Sequence, residues 1–246
     1  MIAIGTVLFW LIAATGLLWL LSGEVMATEA ATDKAFVGQQ EVGLVQPDGL
    51  VKVNGLCPEA DEFIGSLRER FRLNVLAVYA DPDQWRIFVN GLAKGQPRAV
   101  PAMAIVSSTV RMEDRSYDPK GVAKERRHLN NMVGLAINTK PLSVLMSGRA
   151  NKKLAEKLGQ DIGFSYAIGK GVGRFAETDR SISFALMTSA RLFGLRTDSF
   201  VSATALNVGD KFVYLTWFNP DRSQEGIDRL KARSIAWLEE MARLNG

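Results

Sequence analysis

The chain has 246 residues, with 30 Lys and Arg, 26 Asp and Glu, one His and one Cys, and a formal net charge of +4. A single cysteine excludes an intramolecular disulfide, so stability must come from an apolar core, and one Cys with one His puts a Cys- and His-rich metal site out of reach. The basic excess is too small to argue for nucleic acid; neither a nucleic-acid partner nor a cofactor is expected.

Ile2 to Leu21 is an almost unbroken apolar run without a charged side chain, interrupted only by Gly5, Thr6, Thr15 and Gly16. A helix needs about 20 apolar residues to span the hydrocarbon core of a bilayer, so the run addresses the chain to a membrane. Leu, Ile, Phe and Trp occur around its whole circumference, which argues against a buried helix of a soluble domain. Two fates fit. The length of the core and the lack of a basic n-region favour a retained anchor over residues 2–21, whereas Ser22-Gly23 followed by Val25-Met26-Ala27 suits cleavage of a signal peptide after Ala27. In either case the remainder is expected to be exported, periplasmic or secreted if cleaved and membrane-tethered if not. Glu24 is the only charged side chain in residues 1–27, so the exported part carries 30 basic against 25 acidic side chains. Export without disulfides suits a bacterial envelope.

Residues 28–40 are polar and small and read as a flexible spacer; residues 41–246 suffice for one ordinary domain. Val42 to Val45 and Leu50 to Val53 flank Gln46-Pro47-Asp48-Gly49, whose turn chemistry predicts a short hairpin. A helix is expected from Pro58, with Ala60, Phe63, Ile64, Leu67 and Phe71 on one face. Its first turn is acidic and its last basic, as the helix dipole prefers. Cys57 lies at its start, where a dipole can lower a thiol's pKa, although a lone cysteine is more often a small packed residue.

Leu73 to Ala80 is apolar nearly throughout and reads as a strand covered on both faces. Asp81-Pro82 then opens a helix, with Asp as cap and Pro at the first helical position. Trp85, Phe88, Val89 and Leu92 form its inner face, and Lys94-Gly95 ends it. Val100 to Val110 is a further strand, and Arg111 to Tyr117 a polar loop. Asp118-Pro119 repeats the helix opening. On a helical wheel Val122, Leu129, Met132, Val133 and Ala136 gather on one side, and Lys120, Lys124, Arg127, His128 and Asn131 on the other, with Arg126 near the boundary. A solvated helix face has the same look. As a binding face, Lys120, Lys124 and Arg127 suit lipid headgroups, an acidic polymer or an envelope protein partner. His128 falls on the polar side without an identifiable carboxylate mate, and Cys57 and His128 alone define no catalytic triad.

Pro141 to Gly159 continues helical, with Lys152, Lys153 and Lys157 as a second basic cluster. Ile162 to Ile168 is strand-like and leads into Gly169-Lys170-Gly171-Val172-Gly173-Arg174. This stretch lacks both the P-loop ending and the Rossmann spacing, so it reads as a glycine-relaxed or bulged edge strand. Ile182 to Thr188 is the next strand, Gly194 to Thr197 a turn, and Phe200 to Leu206 with Lys211 to Phe218 a hairpin closed over residues 207–210. Val213 to Phe218 is apolar on both faces and is expected to be central. Asp221 with Gln224 matches a capping box for a closing helix with Ile227, Leu230, Ser234, Ile235, Leu238, Met241 and Ala242 inward.

The closing unit, Phe212 to Phe218, Asn219-Pro220-Asp221 and the Ile227-to-Met241 helix, resembles that of uncharacterised exported bacterial proteins, themselves distantly similar to the PsbP/Mog1-like fold group. The resemblance is clearest over residues 160–246. It implies an architecture and supplies no active residues. The expected fold is α+β, a largely antiparallel sheet covered by helices on both faces in α/β/α layering, behind an N-terminal hydrophobic helix. The expected function is a non-catalytic envelope domain binding a partner or an anionic surface. A periplasmic small-ligand binder and an enzyme using Cys57 or His128 are the alternatives.

Overall fold

The computed structural model describes residues 33–56, 72–93, 101–138, 165–168, 173–192 and 195–246. The apolar run 2–21, the cleavage position at Ala27, the helices expected near residues 58–71 and 141–159, and Cys57 lie outside the described residues. Among those described, no helix is long and apolar enough to cross a membrane.

The fold is mixed α and β, built on a large antiparallel sheet, with four helices among the described residues. Strands β3 (Val51–Lys52), β4 (Leu73–Ala80), β5 (Met103–Thr109), β10 (Lys211–Asn219), β9 (Leu195–Val208), β8 (Ser181–Leu192) and β6 (Ser165–Ile168) are neighbours in that order. β7 (Gly173–Glu177) shares the outer edge of β8 with β6. Helix α1 (Pro82–Ala93) follows β4, and Gln84 donates its N–H to the Asp81 carboxylate at 2.8 Å, so the Asp-Pro opening acts as the sequence predicts. Helices α2 (Val110–Glu113) and α3 (Pro119–Asn138) follow β5, and α4 (Gln224–Leu244) follows β10.

The strand expected to be central is central. β10 lies between β5 and β9, and every residue from Lys211 to Phe218 is buried. It enters from β9 through a two-residue turn, Val208 pairing Lys211 across Gly209-Asp210. Gly209 sits at φ +57°, the first central position where this tight connection uses glycine. A β-carbon there would also meet the Gln40 side chain at 2.5 Å. Hydrogen bonding to Ser116, then the Lys211 charge, holds the Asp210 carboxyl below its usual range.

Alternation divides the side chains of β10. Val213, Leu215 and Trp217 face a core formed with Ala104, Val106, Phe200 and Leu206 and closed by Ile227, Leu230, Trp237, Leu238 and Met241 of α4. Ser202 and Ser234 meet hydroxyl to hydroxyl at 2.5 Å, small enough to bring α4 close to the sheet. Trp237 stands edge-on to Trp217, with ring centroids 5.8 Å apart, and to Tyr79 at 6.2 Å. Phe212 and Tyr214 face the opposite way, into a cluster with Ile182, Phe184, Leu186 and Ala205 that receives Met112 of α2 and Val122 and Leu129 of α3.

Five expectations are corrected. Within the stretch read as spacer, Asp33–Val37 forms β1 and pairs with β2 (Gln40–Leu44) over five positions in a separate two-stranded sheet. Only Ala35 and Val37 turn apolar groups inward, so the segment looks polar although it alternates. The Gln46-Pro47-Asp48-Gly49 reversal is present, with the Leu50 N–H on the Pro47 carbonyl at 3.2 Å. Its flanks nevertheless do not pair with each other: β2 joins β1 and β3 joins β4. Turn chemistry fixes the reversal and leaves the partner to tertiary packing. Arg111 to Tyr117 is not all loop, because Thr109 caps one helical turn by accepting the Met112 N–H, and that turn buries Met112. The turn expected at residues 194–197 is strand from Leu195, drawn into a twelve-residue ladder with β8. Finally, Ser223 is the N-cap of α4, accepting the Gly226 N–H at 3.0 Å. Asp221 instead accepts the Ser223 N–H and pairs with Arg229.

Asn245, just past α4, ties the small sheet to the large core. Its carboxamide accepts the Gly43 N–H at 2.7 Å and donates to the Gly43 carbonyl at 2.9 Å and the Met241 carbonyl at 2.8 Å. Asn245→Ala leaves partly buried backbone groups without partners, a loss of about 1–3 kcal/mol. Urea unfolding should show that loss, with Asn245→Asp recovering the share carried by the accepted bond.

Candidate anionic-surface interface

Helix α3 carries the basic stripe, and three observations fix its orientation. Asp118 accepts the Gly121 N–H at 2.6 Å and caps the first turn. Tyr117 anchors the segment entering the helix: its N–H reaches the Asp210 carbonyl at 2.9 Å, its hydroxyl the Met112 sulfur at 2.7 Å, and its ring stands edge-on to Phe212. Val122 and Leu129 are buried against the sheet. Burial, and then the charge of Glu125, pushes the Tyr117 and Tyr214 hydroxyls above their ordinary range. The Tyr214 hydroxyl has no hydrogen-bond partner among the described residues.

With that side committed to the core, the outer side is fixed. Lys120, Ala123, Lys124, Arg127, Asn130 and Asn131 are exposed, and none is acidic. No ion pair of Lys120, Lys124 or Arg127 occurs among the described residues. Lys120 to Asn131 is twelve residues, about 16 Å from end to end at the helical rise. The outer side of α4 is different. It mixes both signs, and two of its three arginines are paired locally, Arg229 with Glu225 and Asp221 and Arg243 with Glu240. The contrast lies in the carboxylates: the outer side of α4 interleaves Glu225, Asp228, Glu239 and Glu240 with its cations, whereas the exposed residues from Lys120 to Asn131 include none.

Arg126 departs from the stripe. It projects sideways to β7, where its guanidinium bonds the Glu177 carboxylate and donates to the Asp179 backbone oxygen at 3.1 Å. Its Nε is buried without a partner among the described residues. Arg174 approaches the other carboxylate oxygen of Glu177 at 2.6 Å. The wheel placed Arg126 at the edge of the stripe, but its partner across 51 positions was invisible to local periodicity. The signal for β7 was the glycine-rich stretch read as a bulged edge, and a bulge is present between Arg174 and Ala176.

His128 is half-buried on α3. Cys57 lies outside the described residues. Among the described residues no group of three or more His, Cys, Asp or Glu is placed to hold a metal ion. No family model matches the chain, and neither a curated protein nor a solved structure matches it.

The core side of α3 is what keeps its cations turned outward. Leu129→Ala removes buried volume from that contact and should destabilise the domain by about 2–5 kcal/mol. Lys124→Ala should stay within about 0.5 kcal/mol of the parent, as exposed substitutions do. Equal losses for the two in urea unfolding would contradict the assigned orientation.

Proposed function

We propose that this chain is an exported, non-catalytic envelope protein that docks on an anionic surface through Lys120, Lys124 and Arg127. It would be an α/β/α-layered domain behind an N-terminal hydrophobic helix. One observation carries the reading: three exposed cations without ion pairs among the described residues, on a helix whose other side is buried. Exposed charges of one sign set up a field that attracts an opposite surface. The same face offers no large apolar side chain among residues 119–131. It thus lacks the apolar or aromatic anchor that dominates most protein–protein interfaces, which favours a charged surface such as phospholipid headgroups over a protein partner. The apolar run 2–21 supports the same reading, since a segment of that length belongs in a bilayer.

Each Lys or Arg close to an anionic membrane contributes about 1 kcal/mol, screened within a Debye length. The test uses the protein as cells make it, carried in phosphatidylcholine nanodiscs where the N-terminal segment is retained. Its binding is measured on supported bilayers of phosphatidylcholine alone and of equal parts phosphatidylcholine and phosphatidylglycerol. Binding only to the anionic bilayer, falling with added salt, is expected. Lys120→Glu, Lys124→Glu and Arg127→Glu together should weaken it by roughly a hundredfold or more. Unchanged binding by a folded triple variant would overturn the proposal.

A further inference from the structure

The stripe on α3 does not end the cationic surface. β7 runs beside α3, and the ladder of β7 with β8 is regular except at one point. Arg174 pairs with Phe184, and Ala176 pairs with Ser183, so Phe175 is an extra residue. In a regular strand, residues 174 and 177 are three apart and point to opposite faces. The extra residue resets the alternation. Arg174 and Glu177 come to lie opposite Phe184 and Ile182, which share the face covered by α3. A bulge that re-aims side chains is a built feature of an edge strand. Here it brings Arg174, Glu177 and Arg126 together.

The chemistry of the cluster is that of an anion receptor already holding an anion. Two guanidinium groups converge on one carboxylate, Arg126 on one oxygen and Arg174 on the other. Arg126 is fixed, with its side chain 15% exposed, whereas Arg174 is 50% exposed and, among the described residues, spends only one nitrogen on Glu177. Guanidinium forks match the oxygens of a phosphate as they match a carboxylate. We infer that Arg126 and Arg174 form an anion site adjoining the α3 stripe, that its ligand is the phosphodiester of an anionic lipid headgroup, and that Glu177 is the internal counter-ion which restrains binding. The inference rests on the docking reading above and names both the ligand chemistry and the residue that limits affinity.

The same bilayer assay tests it with two variants of opposite sign. Glu177→Gln removes the competing charge and keeps the shape, and should tighten binding to the phosphatidylglycerol bilayer about fivefold. Arg174→Gln should weaken it by about the same factor, and neither should bind phosphatidylcholine alone. Inorganic phosphate replacing chloride at matched ionic strength should leave binding in place. Displacement by phosphate would overturn the lipid assignment in favour of a free anion. If Glu177→Gln binds no more tightly and Arg174→Gln no more weakly, while reversal of the three stripe charges still abolishes binding, the anion site is overturned and the stripe stands. If reversal of the stripe also has no effect, the docking reading itself has failed.

Discussion

The double burial of β10 is the constraint on which the rest depends. A strand apolar on both faces at the centre of a sheet exposes neither side without a large loss, since each buried Val, Leu or Phe contributes about 1.5–3 kcal/mol through removal from water. Val213, Leu215 and Trp217 require cover on one face, and Phe212 and Tyr214 on the other. The two covers are unlike. On the first, α4 follows β10 directly and packs tightly over small hydroxyl residues, with the Ser202–Ser234 contact at its centre. On the second, α2 and α3 are fed from β5, the other neighbour of β10. The position of the basic helix is therefore a consequence of where β10 lies.

The cover on the first face needs more than α4. Trp237 donates its indole N–H to the Val45 carbonyl at 2.8 Å, and Met241 presents its sulfur to the Val45 N–H at 3.3 Å. With the Asn245 carboxamide on Gly43, these contacts let the helix supply backbone partners along the segment that β1 leaves open. Polar backbone groups at such a junction need partners once water is excluded. Side chains from the end of the chain supply them to a strand some two hundred positions earlier. Asn245 lies 202 residues from Gly43, a separation that no window of sequence spans.

Much of the fold was legible for that same physical reason. Val213 to Phe218, Leu73 to Ala80 and the Asp-Pro helix openings each carry their signal within a few residues. The missed features depend on distant partners. Asp33–Val37 has weak strand character alone and gains it from pairing with β2. Leu195 to Thr197 looks like a turn until β8 offers a ladder. At the candidate interface, the outward cations were legible because helical periodicity alone separates Lys120, Lys124 and Arg127 from Val122 and Leu129. The convergence of Arg126 and Arg174 on Glu177 was not, because it requires both the β7 bulge and the placement of α3 beside it. The glycine-rich stretch gave notice of an irregular edge without saying which side chains the irregularity would aim.

The two covers point in opposite directions, and this bears on how a membrane-addressed chain would use its basic face. The outward cations of α3 lie on one side of the sheet, while β1, which follows the N-terminal segment, belongs to the layer on the other. Eleven residues, 22–32, separate Leu21 from the start of β1. A chain of that length reaches at most about 36–40 Å when extended. Packed layers lie about 10 Å apart, so that reach exceeds the thickness between the β1 layer and the α3 layer. A tether of three or four residues would hold the β1 side against the surface and turn the basic stripe away from it. Under the proposed docking, a retained N-terminal segment would have to bridge the two layers within the reach of residues 22–32, whereas cleavage would lift the constraint.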